Sequence, residues 1–182
     1  ISQVKDLVSG NIPFKWQWGS QTSLVTGDDS DFDTDTGNWT DYSGAVFNGV
    51  VADWDGGAGT GIGKFTLDAG GGANGVYLSS IGTVGKAVKV SIKAKLLTGD
   101  PVTIAIGNNA GTLGVDYFEI TPTGTETVYT GTIISAGILY IGIVTGQTGS
   151  ASQVILIDDA LAVPLGAVAL YDQTSISETT WY

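Results

Sequence analysis

Two aspartates interrupt the last apolar run of the chain, Val154-Ile155-Leu156-Ile157-Asp158-Asp159-Ala160-Leu161. Carboxylates are rarely buried unless they are paired, hydrogen-bonded or bound to a cation. In this setting Asp158 and Asp159 read as metal ligands. A second acidic run, Asp28 to Asp35, supplies further donors, among them Asp31 and Asp33. The sequence contains no Cys and no His. Hard carboxylate oxygens without imidazole or thiolate favour Ca²⁺ over transition metals. The expectation is a structural calcium site fed by these carboxylates and by main-chain carbonyls. It is not an EF-hand, which needs Gly at its sixth position and Glu at its twelfth. Counting from Asp29 gives Thr34 and Thr40, and counting from Asp31 gives Thr36 and Tyr42.

The same missing residues exclude Cys/His zinc sites, Ser-His-Asp and Cys-His catalysis, and disulfides. The run Asp55 to Lys64 has the glycine content of a phosphate loop, but Ala58 and Phe65 stand where a Walker motif needs Gly and Ser or Thr. It reads as an inter-strand loop. A glycosidase needs two positioned carboxylates; glutamate occurs only at Glu119, Glu126 and Glu178, and Asp53 and Asp55 flank a loop, but the sequence gives no distance between any pair. The expectation is therefore a protein without catalysis.

Aromatic side chains carry the remaining chemistry. Trp39, Trp54, Tyr77, Tyr117, Phe118 and Tyr140 lie on or near strand-like segments. Flat rings build cores, and they also stack on the apolar faces of sugar rings. Tyr117 and Tyr140 are the better ligand candidates, because each alternates away from apolar neighbours: Phe118 and Ile120 in one case, Leu139, Ile141 and Ile143 in the other. Trp54 and Tyr77 complete the candidate set.

These side chains need strands to position them. Lys86 to Leu97 alternates strictly, with Val88, Val90, Ile92, Ala94 and Leu96 on one face and Lys89, Ser91, Lys93 and Lys95 on the other. The lysine row predicts an edge strand guarded against aggregation. Further strands are predicted over 44–54, 63–67, 75–81, 102–107, 115–121, 126–134, 138–145 and 153–163, separated by Gly, Asn, Asp and Pro clusters. No segment keeps a helical period. The fold class expected is all-β, an antiparallel β-sandwich of jelly-roll type.

Composition agrees. The chain has 182 residues, 28 of them Gly, with 42% hydrophobic and 14% charged residues, enough for one sizeable core. A net charge of −11 with only seven basic residues argues against nucleic acid and against an anionic membrane surface as partners. No apolar run approaches the length of a membrane helix. The domain is expected over 23–163, between an N-terminal connector, 1–22, and a C-terminal connector, 164–182. The first connector carries the aromatic patch Pro13-Phe14-Lys15-Trp16-Gln17-Trp18, and the second ends in Thr179-Thr180-Trp181-Tyr182. The start at Ile1 suggests a piece of a longer polypeptide.

The order Ser30-Asp31-Phe32-Asp33, Gly37-Asn38-Trp39, a series of strands and then Ile157-Asp158-Asp159-Ala160 resembles the jelly-roll carbohydrate-binding modules. These open on an Asn/Asp-Gly-Asp-Phe-Glu-type segment before Gly-Trp and close on an aromatic-Ile-Asp-Asp-Val strand. The resemblance covers about 23–163 and implies Asp33 and Asp158 as ligands of a structural calcium. Here Ser30 stands for the usual Gly and Asp33 for the usual Glu. The segments Gly10-Asn11-Ile12-Pro13-Phe14-Lys15, Gly166 to Asp172 and Ile176 to Tyr182 resemble those flanking such modules in bacteriophage tail-fibre proteins. This implies a virion or extracellular location, a trimeric fibre, other tail proteins as partners and host-surface glycans as ligands. The alternatives are a purely structural virion spacer and the ancillary module of a secreted polysaccharide-degrading enzyme.

Overall fold

The computed structural model describes residues 22–68, 72–81, 84–108, 116–144 and 153–165. The expected connectors lie almost wholly outside them. The described residues form a short helix, α1 (Asp28–Asp31), and ten strands: β1 (Trp39–Tyr42), β2 (Val46–Val51), β3 (Ile62–Thr66), β4 (Asn74–Ile81), β5 (Ala87–Thr98), β6 (Ile104–Gly107), β7 (Tyr117–Ile120), β8 (Thr127–Ile134), β9 (Gly137–Ile143) and β10 (Val154–Pro164). They make two five-stranded sheets, in the orders β1-β4-β9-β6-β7 and β2-β3-β10-β5-β8. Every pairing is antiparallel. We call them the first and second sheet.

Alternation along each strand decides what lies between the sheets. The first sheet sends in Val76, Leu78, Ile104, Ile106, Leu139, Ile141 and Ile143, and the second Phe65, Val88, Val90, Ile92, Ala94, Ile133, Ile155 and Ile157, all buried in one core. The lysines of β5 turn outward as the alternation requires. They do not guard an edge, however, because β5 is paired on both sides, to β10 and to β8. Strand order depends on long-range pairing, and the period of a single strand does not contain it.

Two elements escape the sequence pattern. Strand β1 is four residues long and polar at Thr40 and Asp41. Helix α1 consists of Asp-Asp-Ser-Asp and has no apolar stripe. What anchors it is the next residue, Phe32, fully buried and left-handed at φ 54°. Its ring lies 5.8 Å from Phe47 and 6.3 Å from Trp39. Gly63 makes room for it: a Cβ there would come within 2.9 Å of Phe32 and 2.8 Å of Phe47. Trp39 is part of the same buried cluster, and its Nε1–H donates to the Asp29 carbonyl at 2.9 Å.

Strand β10 changes face at the aspartate pair. Asp158 is opposite Lys93 and Leu161 opposite Ser91, so Asp159 and Ala160 together face Ile92. This is a β-bulge, and Asp159 takes the left-handed φ of 49°. Ile155 and Ile157 point inward before it, Ala160 and Ala162 after it. The bulge leaves Asp159 exposed and Asp158 half-buried.

Candidate functional site

The outer face of the first sheet carries a tyrosine row. Tyr77 on β4 is the direct partner of Tyr140 on β9, Tyr140 is opposite Gly107 on β6, and Gly107 is opposite Tyr117 on β7. One register level thus crosses four strands, about 14 Å at normal strand spacing. The next level reads Tyr42, Gly75, Gly142, Ala105 and Glu119. Glycines and alanine keep this second level low. A Cβ on Gly142 would meet the Asn74 carbonyl and would lie 2.7 Å from the Tyr140 hydroxyl. One on Gly107 would lie 2.7 Å from the Cβ of Tyr117.

The tyrosines play unequal parts. Tyr140 is fully buried. Its ring stands edge-on to Tyr42, 5.8 Å between centroids at 86°, and its hydroxyl donates to the Ile143 carbonyl at 2.6 Å. Burial, with Tyr42 beside it, holds its hydroxyl well above the ordinary tyrosine range. The expectation of an outward direction agrees with the structure. The expectation of a ring offered to a ligand does not, because Tyr42 and its neighbours close over it. Tyr140 is the floor of the patch. Tyr42, Tyr77 and Tyr117 pack around that floor and stay half-exposed. Among the described residues their hydroxyls meet no protein partner. Rings standing on a neutral floor with hydroxyls free at the rim can stack on a flat apolar surface and hydrogen-bond at its edges. Tyr42 carried no usable signal in the sequence, because only the pairing of β1 to β4 brings it beside Tyr140.

Trp54 is not part of this face. It lies in the loop between β2 and β3 and, like Leu97, packs on the cluster Val51, Ile62 and Leu156, outside the second sheet. Lys93 Nζ sits 4.8 Å from its ring centroid. Lys95 Nζ donates to the Trp54 carbonyl at 2.6 Å and to Asp55 at 2.9 Å. The ring is used to hold its own loop down.

The four aspartates expected at the metal are only partly assembled. Helix α1 packs against β10, which sets Asp31 near Asp158. Burial pushes the Asp158 carboxyl up to about 6; Asp159 and Asp31 add to this, while the Asp159 N–H, donated at 2.7 Å, and Lys93 oppose it. Asp33 is exposed, and its N–H donates to Asp31 at 3.4 Å. Asp28 accepts from the Thr34 N–H and hydroxyl at 2.8 and 2.6 Å, and those bonds hold its carboxyl below its usual range. Asp35 accepts from the Gly37 N–H at 2.7 Å. Among the described residues no three acidic side chains converge closely enough to hold a metal.

No protein-family model and no curated protein matches this sequence. Solved structures do match. The tandem pair of family 22 carbohydrate-binding modules from Paenibacillus barcinonensis Xyn10C is similar with a TM-score of 0.56 at 17% identity, over 80% of this chain and 46% of that one. The module–catalytic fragment of Clostridium thermocellum xylanase 10B, complexed with xylohexaose, gives 0.50 at 13% identity, over 80% of this chain and 29% of that one. A family 4 carbohydrate-binding module gives 0.49 at 20% identity, over 75% and 97%. The chain thus spans about half of the tandem pair and under a third of the xylanase fragment. At these identities the likeness defines the fold: a jelly-roll β-sandwich of the carbohydrate-binding-module type.

Proposed function

We propose that this domain is a non-catalytic glycan-binding module whose site is the tyrosine face of the first sheet. The observation that carries the reading is the register row Tyr77–Tyr140–Gly107–Tyr117 with Tyr42 beside it. It places half-exposed rings over a neutral floor in a chain of net charge −11, and such a surface suits a neutral sugar chain. Of the similar structures described above, one is a fragment of xylanase 10B solved with xylohexaose, and another is a pair of carbohydrate-binding modules. This supports a polysaccharide ligand and favours the ancillary module of a degrading enzyme as the second reading. The resemblance of the flanking segments supports the first: a bacteriophage tail fibre that engages host-surface glycans. Titration with a panel of soluble polysaccharides tests the function, and Tyr77→Ala or Tyr117→Ala should weaken binding at least about tenfold. Failure to bind any of them would leave a structural spacer.

A calcium ion at the junction of α1 and β10 belongs to the same proposal. Asp31 and Asp158 would hold it together with main-chain carbonyls, and its charge would offset the half-buried Asp158 carboxylate. A melting midpoint unchanged by chelator would remove the ion from the account.

A further inference from the structure

The sandwich has four edge strands, and three of them are protected. Strand β1 is short and carries Asp41, whose carboxylate accepts the Phe47 N–H at 2.6 Å. Strand β7 is short and carries Glu119. Strand β2 is broken by a register shift between Phe47 and Gly49. Strand β8 is capped by a carboxylate only at its end, where Asp116 accepts the Ile134 N–H. Its sequence, Thr-Val-Tyr-Thr-Gly-Thr-Ile-Ile, holds no charge and no proline, and it pairs with β5 without a shift from Thr127 to Ile134. Charges, prolines, bulges and short length are what natural edges use to prevent strand addition. The lysines that would serve lie one strand further in.

The free side of β8 can be assigned. The Ser135 N–H donates to Lys86 on the β5 side. The Ile134 N–H and carbonyl turn the other way, to the Asp116 carboxylate at 3.1 Å and to the Asn108 amide. Alternation along an antiparallel ladder then points the main-chain groups of Val128, Thr130 and Thr132 away from β5. These three residues are exposed, Val128 at 62%. Among the described residues their outward main-chain groups meet no partner.

We propose that β8 is the contact edge between two copies of this chain. A two-fold axis at Thr130 sets Thr130 against itself and Val128 against Thr132 of the partner. All of these are outward-facing, so each pair exchanges two main-chain hydrogen bonds. The edge is neutral in register with itself, and Glu126 at its start is balanced by Lys93 at 3.3 Å. The chain's net charge of −11 opposes self-association elsewhere. At β8 it is offset by Lys89 and Lys93 on the neighbouring strand. The axis runs perpendicular to the sheet, so both tyrosine faces point to one side. This inference does not depend on what those faces bind.

Sedimentation velocity of the full 182-residue chain over a concentration series tests it. The expected result is a reversible dimer that Thr130→Lys, by setting two like charges together, weakens at least about tenfold. The variant's melting midpoint reports whether it still folds. In the wild type, exchange of the Val128, Thr130 and Thr132 amides should slow as concentration rises, a readout that needs no variant. A monomer at every concentration, a trimer, or a dimer indifferent to Thr130→Lys with unchanged exchange at β8 would overturn the proposal.

Discussion

The two outer faces of the sandwich follow the same alternation and carry opposite chemistry. Outside the first sheet stand Tyr42, Tyr77 and Tyr117 on a floor of Tyr140, glycine and alanine. Outside the second stand Lys89, Ser91, Lys93 and Lys95, with the Trp54 ring under Lys93 and its carbonyl held by Lys95. Both faces hold aromatic rings. On the first, Tyr42, Tyr77 and Tyr117 pack on Tyr140, and among the described residues their hydroxyls meet no protein partner. On the second the indole is consumed by its own loop. An aromatic residue becomes a binding element through its neighbours in register, and its type alone does not decide.

The sharpest way to break this contrast is Tyr140→Ala. The ring is fully buried, so its loss should cost about 3 kcal/mol or more of stability in denaturant unfolding and abolish the patch above it. A loss of affinity without a loss of stability would mean that Tyr140 is a ligand contact and not a floor.

Trp54→Ala probes the other face. Loss of its packing and of the Lys93 contact should cost about 1–2 kcal/mol in the same unfolding experiment. Glycan affinity should stay as it was; a drop would move the site to the second sheet.

The smallest effect expected is at Asp158, opposite Lys93 on the second sheet. Folding raises this carboxyl from 3.8 to about 6, so the folded state holds the proton more tightly than the unfolded chain. Stability is therefore lost as pH rises from about 4 to about 6. Discounted for its exposure, the loss is about 1 kcal/mol. In chelator, Asp158→Asn should flatten that slope and raise the midpoint at neutral pH. If calcium binds there, added calcium should reverse the order of wild type and variant. A wild-type midpoint flat across this pH range would contradict the assigned burial.

Most strands were legible from period-two patterning, because one face of each had to be apolar: Val88 to Leu96 and Leu139 to Ile143 are the clear cases. Strand β1 and helix α1 were not, since Thr40-Asp41 and Asp28 to Asp31 carry no apolar period and are held by tertiary contacts through Trp39 and Phe32. Tyr117 and Tyr140 could be singled out as outward-facing, yet their alignment with each other depends on the pairing of β9, β6 and β7. For the same reason the lysine row does not reveal that β5 is an inner strand. The aspartate pair was visible as an anomaly, and alternation could not say which residue faces inward, because a bulge resets it at that point.

If the tyrosine face binds a glycan, its exposed rings carry the affinity. Calorimetric titration of a polysaccharide that the wild type binds, repeated with Tyr77→Ala, Tyr117→Ala and Trp54→Ala, tests it most directly. Each tyrosine variant should lose at least about tenfold in affinity with its melting midpoint little changed, while Trp54→Ala binds as the wild type does. Undiminished binding by both tyrosine variants, or loss of binding in Trp54→Ala alone, would contradict it.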